Sequence, residues 1–165
     1  MSPGKTEEII EIALAAQRLR LRRGDRVLLD APVSTAAKGA GEVADSERTP
    51  RGWHVVCEKI GEGLPVNTVF VGRRPTGEIY APALRSRHPG RDWILSRILW
   101  LSGTESGKNQ NGNVDSRGRY IYIHGCPVDV SIGAPGSHGC VRMRNEHILE
   151  LFSRVSVGTR VHIHE

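Results

Sequence analysis

The residues in this 165-residue chain best suited to chemistry form one run, Ser137-His138-Gly139-Cys140-Val141-Arg142, with His124-Gly125 upstream at the end of an alternating apolar stretch. A thiol is a strong nucleophile as the thiolate, and a free cysteine, with a pKa of about 8.5, is mostly thiol at neutral pH. A nearby imidazole can take the proton, and positive charge or a helix N-terminus can stabilise the anion. The run offers all three, so it reads as a cysteine acyl-transfer site. The blander reading of Cys140 is a buried structural cysteine, a common fate of this residue type. Gly136, Ser137, His138 and Gly139 speak against it, because they mark a polar, sharply turning backbone. The N–H groups of Gly139 and Cys140 are expected to converge on an oxyanion.

His124 is the expected general base: a histidine at a strand end, followed by Gly125, can sit at a sheet rim. Its alternative is a solvated strand-end side chain. His138, two residues before Cys140 in the same run, is the poorer candidate for taking the thiol proton and is expected to shape the site instead. Arg142 is either a surface ion-pair partner or a planar fork for a substrate carboxylate. His124, Cys126, His138 and Cys140 are also zinc-ligand types, but their one-residue spacings are too tight for the usual Cys-x-x-Cys knuckle. No metal and no cofactor is expected. His147, His162 and His164 have no comparable context and read as surface residues.

The elements that must position these residues are mostly strands. Ile9 to Leu14 is a short helix or a strand, and periodicity does not choose between them. Leu19 and Leu21 alternate with arginines, Arg23-Gly24-Asp25 makes a turn, and Val27 and Leu29 resume the alternation, which is a hairpin signal. Ala36 to Pro50 is a polar loop. Trp53, Val55 and Cys57 share one face of the next strand, with His54 and Val56 on the other. Val69 to Val71 and Glu78 to Tyr80 flank a turn-rich link. Trp93 to Leu101 is a buried strand, and Tyr120 to Ile123 leads into His124. Between these two lies Ser102 to Gly118, rich in Gly, Asn and Ser and long enough to be read as a lid. Asn145 is expected to cap a helix carrying Ile148, Leu149, Phe152 and Val155, ended by Gly158 and followed by a strand with Val161 and Ile163. The expected architecture is one mostly-β domain over residues 1–165, with residues 1–7 a loose lead.

The net charge of +5 is spread along the chain, and its densest cluster is Arg18, Arg20, Arg22 and Arg23. No stacking aromatics interleave with these arginines, so nucleic acid is not the expected partner; a carboxylate-rich substrate fits the charge. Three cysteines, an odd number without metal spacing, argue against a disulfide framework. No apolar run is long enough to span a membrane. Met1 to Leu14 carries Glu7, Glu8 and Glu11 where a signal peptide needs an unbroken apolar core, which points to the cytoplasm, or to the cell envelope if a leader has been trimmed.

The stretch from Tyr122-Ile123-His124-Gly125 through Gly133, Pro135, Ser137-His138-Gly139-Cys140-Val141-Arg142-Met143 and Asn145 resembles the YkuD-type L,D-transpeptidases. The resemblance extends to Gly158-Thr159-Arg160-Val161, and upstream to Pro32-Val33-Ser34-Thr35 and Thr49-Pro50-Arg51-Gly52. It implies a β-sandwich with the cysteine at the mouth of a groove. It also implies attack on the bond between the third residue, commonly meso-diaminopimelate, and D-Ala of a peptidoglycan tetrapeptide stem. A thioacyl-enzyme then passes to an amine, giving a 3→3 cross-link, or to water, giving a tripeptide. By the resemblance Cys140 is the nucleophile, His124 the base, Gly125 the carbonyl that orients it, His138 and Gly139 the turn, and Ser137 the accompanying hydroxyl.

Two departures stand out. Cys126 occupies a position that is usually threonine in relatives with His-Gly-Thr, and it is a candidate to silence the thiol by a disulfide with Cys140. The N-terminus without an export signal favours a soluble muropeptide as substrate and water as acceptor, an L,D-carboxypeptidase. A non-catalytic peptidoglycan-binding module and a zinc-dependent hydrolase are the alternatives from other classes.

Overall fold

A computed structural model describes residues 7–165, so the expected lead falls outside the described residues except for Glu7, which pairs with Arg160. The choice at Ile9 to Leu14 falls to a strand: β1 (Glu8–Ala13) buries Ile10 and Ile12 and runs parallel to β10 (Arg160–His164). The arginine-rich hairpin forms as β2 (Arg18–Arg23) and β3 (Arg26–Ser34), with Leu19 and Leu21 turned inward. Its arginines lie against carboxylates of neighbouring strands, Arg18 and Arg20 on Asp30, Arg22 on Glu11 and Arg23 on Glu8. Each such exposed pair adds little stability, but together they neutralise the densest basic cluster.

The remaining elements are β4 (Gly52–Ile60), β5 (Thr68–Val71), β6 (Arg74–Ile79), α1 (Pro82–Arg87), β7 (Ile94–Gly103), β8 (Tyr122–Gly125), β9 (Val141–Met143) and α2 (Asn145–Arg154). All ten strands belong to one sheet, in the order β4-β10-β1-β2-β3-β9-β8-β7-β5-β6. An additional β4–β7 pairing joins eight of them into a closed ring. The mostly-β, sandwich-like fold therefore stands, with its layers joined edge to edge. Inside it Ile10, Leu21, Val33, Leu101, Ile123, Val141, Met143 and Ile163 form one apolar cluster with α2. β5, β6 and α1 leave the ring as an excursion between β4 and β7.

Two expectations about the later elements need correction. Arg144, not Asn145, holds the N-cap position of α2, without a side-chain cap bond, and Asn145 opens the helix with its amide engaged elsewhere. Ile148, Leu151, Phe152 and Val155 make the buried helical face, spaced i, i+3, i+4 and i+7, while Leu149 is only half-buried.

The segment Ser102 to Gly118 is no lid. Its first two residues complete β7, and the rest folds down on the start of β4. Fully buried Asn109 donates from Nδ2 to the carbonyls of Arg51 and Trp53, at 3.0 Å each. Ser116 meets His54 Nε2 at 2.9 Å. Composition alone cannot show a loop finding buried acceptors on a distant strand, and those acceptors hold it down. Among the described residues no helix is long and apolar enough to cross a membrane.

Candidate active site

β8 and β9 run parallel, with Ile123 opposite Val141 and His124 opposite Arg142. Ile123 and Val141 belong to the core. Alternation along a strand therefore places Tyr122, His124, Cys140 and Arg142 together on the other face of the ring. The sheet register thus sets His124 and Cys140, 16 positions apart in the chain, on one face of two paired segments.

The turn before Cys140 is braced from within and from two other segments. Ser137 is buried; its hydroxyl donates to the Cys140 carbonyl at 2.5 Å and accepts from the Gly139 N–H at 3.2 Å. The Gly139 N–H is thereby used up, which corrects the expectation that it faces an oxyanion. The Cys140 N–H has no hydrogen-bond partner among the described residues and is the donor left for that role. Gly139 adopts φ +132, where a Cβ would lie 3.3 Å from the Arg48 carbonyl oxygen, so glycine is required there. Thr49 pins the same turn, donating to the Gly139 carbonyl at 2.9 Å and accepting from the Ala36 N–H at 2.9 Å. The Thr35 carbonyl accepts from the N–H groups of Gly136 and Ser137. Thr35 is itself held by the side chain of buried Gln17 through two bonds. Thr35 and Thr49 belong to the two upstream segments singled out in the sequence, and their task is to hold the turn.

His124 is buried, and its Nδ1 lies 2.7 Å from the Gly125 carbonyl oxygen. A carbonyl can only accept, so Nδ1 carries the proton and Nε2 is left with a lone pair. Burial lowers the pKa of the imidazole, opposed in part by the Gly125 carbonyl, so the ring is neutral near pH 7.

Cys140 packs against Phe70, Ile98 and Tyr122. Its thiol contacts the Tyr120 carbonyl at 3.3 Å and accepts from the Tyr122 N–H at 3.4 Å. Burial pushes the thiol up to about 12; the Tyr122 N–H and the charges of Arg142 and Arg119 pull the other way. Burial thus favours the neutral form of both groups at rest.

His138 is exposed, with its ring nitrogens 3.9 Å from carboxylates of Glu47 and Asp92. It forms a wall shared by two cavities, neither of which is lined by Cys140 or His124. The first, about 270 Å³, is lined by Arg85, Arg91, Asp92, Trp93, Cys126 and Arg142 among others. The second, about 280 Å³, has Glu47, Arg119, Tyr120 and Ile121 on its walls. Arg142 is an ion-pair partner, with Nη2 on Asp92 at 3.1 Å and Nη1 donating to the Gly136 carbonyl, and its guanidinium borders the first cavity. Ser137 borders neither cavity.

Several site residues carried no sequence signal. Asp129 accepts from Tyr80 Oη at 2.9 Å and pairs with Arg85 at 2.8 Å, tying the β5–α1 excursion to the loop after β8. Arg119, half-buried, donates to the carbonyls of Gly41, Glu42 and Arg48 and so holds the loop beside the second cavity. Cys126 is a buried free thiol that donates to the Met143 carbonyl at 3.4 Å; burial raises it to about 11, and the suggested disulfide with Cys140 is not formed. No group of three or more His, Cys, Asp or Glu side chains converges as metal ligands among the described residues. His147, His162 and His164 are half-buried, not free on the surface, and His162 stacks on Trp53 with ring centroids 4.4 Å apart.

The sequence profile of the YkuD family, described as the L,D-transpeptidase catalytic domain, matches residues 7–163. The probable L,D-transpeptidase ErfK/SrfK of Salmonella typhimurium is 50% identical over 114 residues, covering 62% of this chain and 37% of that protein. The probable L,D-transpeptidase YbiS of Escherichia coli is 57% identical over 44 residues, 27% of this chain and 14% of that protein. The chain thus spans well under half of these two relatives. Among solved structures, the catalytic domain of the Enterococcus faecium L,D-transpeptidase acylated by ertapenem superposes with a TM-score of 0.56 at 19% identity, over 96% of this chain and 98% of that one. That likeness is one of fold.

Proposed function

This chain belongs to the YkuD family of L,D-transpeptidase catalytic domains, and we propose that it acts on peptidoglycan tetrapeptide stems through a thioacyl-enzyme on Cys140. His124 Nε2 takes the thiol proton as Sγ attacks the carbonyl carbon of the third stem residue, a meso-diaminopimelate-like centre. The Cys140 N–H faces the developing oxyanion. Collapse breaks the bond to D-Ala, whose amine leaves with the proton that His124 had taken. The thioester then passes to an acceptor amine or to water, with His124 again taking the acceptor's proton. Ser137, Gly139 and Gly125 hold the reacting groups in place, and His138 separates the two cavities.

The observation that carries this reading is the orientation of His124 by the Gly125 carbonyl on the strand paired with the Cys140 turn. The first cavity supports the substrate class through its guanidinium groups: Arg85, Arg91 and Arg142 line it, paired at rest with Asp129, Glu78 and Asp92, and a stem carboxylate would compete with those partners. Product masses from a tetrapeptide incubated with and without a second D-amino acid test the proposal. Exchange of the terminal D-Ala marks transfer, and tripeptide alone marks hydrolysis. Neither product, or a product that survives Cys140→Ala, rejects the reading in favour of a binding module or of metal-dependent hydrolysis, which a chelator would abolish.

A further inference from the structure

The carbonyl that orients His124 depends on a buried polar network beneath it. Along β7, Leu95 pairs with Gly125 and Ile98 with His124, so Ser96 and Arg97 bulge out of register directly across from the base. Ser96 is fully buried and sits at φ +72, a conformation that glycine reaches without cost and serine does not. Its hydroxyl explains why a serine stands there. Ser96 Oγ donates to Asn145 Oδ1 at 2.8 Å and accepts from the Asn67 N–H at 3.0 Å. Asn145 Nδ2 closes the triangle on Asn67 Oδ1 at 2.8 Å, and Asn67 is also left-handed, at φ +68.

This network presses on the end of β8. A Cβ on Gly125 would lie 2.4 Å from Asn145 Oδ1 and 2.6 Å from the Leu95 carbonyl oxygen, so neither neighbour could keep its place. Four segments meet here: the chain entering β5, the bulge of β7, the start of α2 and the His124–Gly125 strand end. Both polar atoms of the Asn145 amide and the Ser96 hydroxyl have partners within the network, and paired buried networks of this kind hold one geometry.

We propose that Ser96, with Asn145 and Asn67, is a positioning residue for the general base: the network fixes the bulge that aims the Gly125 carbonyl at His124 Nδ1. The inference rests on the reading of His124 as base, and it places control of that base at the root of the β5–α1 excursion bordering the first cavity. Ser96→Gly and Asn67→Gly test it, because glycine accepts each backbone conformation while removing the side chain. Both variants should keep the wild-type circular dichroism spectrum, lose about tenfold to a hundredfold in acylation by a tetrapeptide stem, and show nitrogen NMR signals of His124 shifted from the Nδ1–H tautomer toward Nε2–H. Should one variant fail to fold, the other carries the test, and the tautomer is read on resting protein without substrate. Acylation within twofold of wild type with an unchanged tautomer overturns the inference. His124→Ala run alongside separates the two claims: if it acylates normally the base assignment fails, and if it is dead while both glycine variants are active, only the positioning role fails.

Discussion

The Gly125 carbonyl accepts the Nδ1 proton of His124 across 2.7 Å, and this bond between neighbours decides which nitrogen of the ring can act as a base. The acceptor is the backbone carbonyl of the very next residue, so the contact needs no other element to bring the two together. What it needs is the right aim of the carbonyl and room for it, supplied by Gly125 and the side chains packed against it.

The first prediction concerns pH. In the proposed mechanism His124 must be neutral, and burial lowers its pKa below the ordinary 6.5. The acid limb of acylation should therefore be centred below pH 6.5. A limb centred at or above pH 7 would contradict this. The Cys140 thiol, pushed up to about 12 by burial, should react slowly with iodoacetamide at pH 7 and accelerate steadily above pH 9.

The turn carries a second prediction. Gly139→Ala introduces a Cβ at φ +132 and 3.3 Å from the Arg48 carbonyl oxygen, and should lower acylation about a hundredfold while leaving the protein folded. Thr49→Val removes a buried hydroxyl that serves two backbone groups and should cost about 1–3 kcal/mol in urea unfolding. Gly139→Ala at wild-type rate would show that the turn geometry is not used.

The Asp129 link offers a test of the first cavity. Asp129 is exposed, so Asp129→Ala should leave Tm nearly unchanged. Freed from Tyr80 and Arg85, the cavity rim should bind stems less tightly, raising KM about threefold to tenfold with kcat little altered. A change in kcat alone would place Asp129 in a different role.

His54 supplies a stability prediction. It is fully buried between the Gly52 carbonyl and Ser116, and burial holds its pKa at about 4 against 6.5 when exposed. Between those values the unfolded chain binds the proton and the folded chain does not. The stability contribution is therefore complete above pH 6.5 and is lost as pH falls toward 4, by up to about 3 kcal/mol. Urea unfolding of wild type and His54→Gln at pH 7 and pH 4.5 checks it, since the variant should lack this part of the slope. Equal slopes would mean that His54 is not buried neutral.

Local signals were legible where chemistry and backbone demand coincide. The glycine turn before Cys140 and the His124-Gly125 pair at a strand end could be read directly, because each position needs a residue type that has few substitutes. Alternation disclosed β2, β3 and β4, down to the face that His54 shares with Val56. Partnerships across the chain were hidden: Thr49 with Gly139, Gln17 with Thr35, and Asp129 with Tyr80 depend on a closed ring that no local pattern encodes. The segment from Ser102 to Gly118 misled for the same reason. Its polar composition suits an open loop, yet Asn109 and Ser116 spend their polarity on buried β4 partners. Similarly, Asn145 has the right chemistry for a helix cap, but Ser96 and Asn67 claim its amide.

The central claim is that Cys140 carries the acyl group. Intact-protein mass spectrometry after rapid mixing with a tetrapeptide stem tests it most directly, with peptide mapping to locate the adduct. The account predicts a mass increase equal to the tetrapeptide minus alanine, mapped to Cys140, absent in Cys140→Ala and strongly reduced in His124→Ala. An adduct on Cys57 or Cys126, or D-Ala release undiminished in Cys140→Ala, would contradict it.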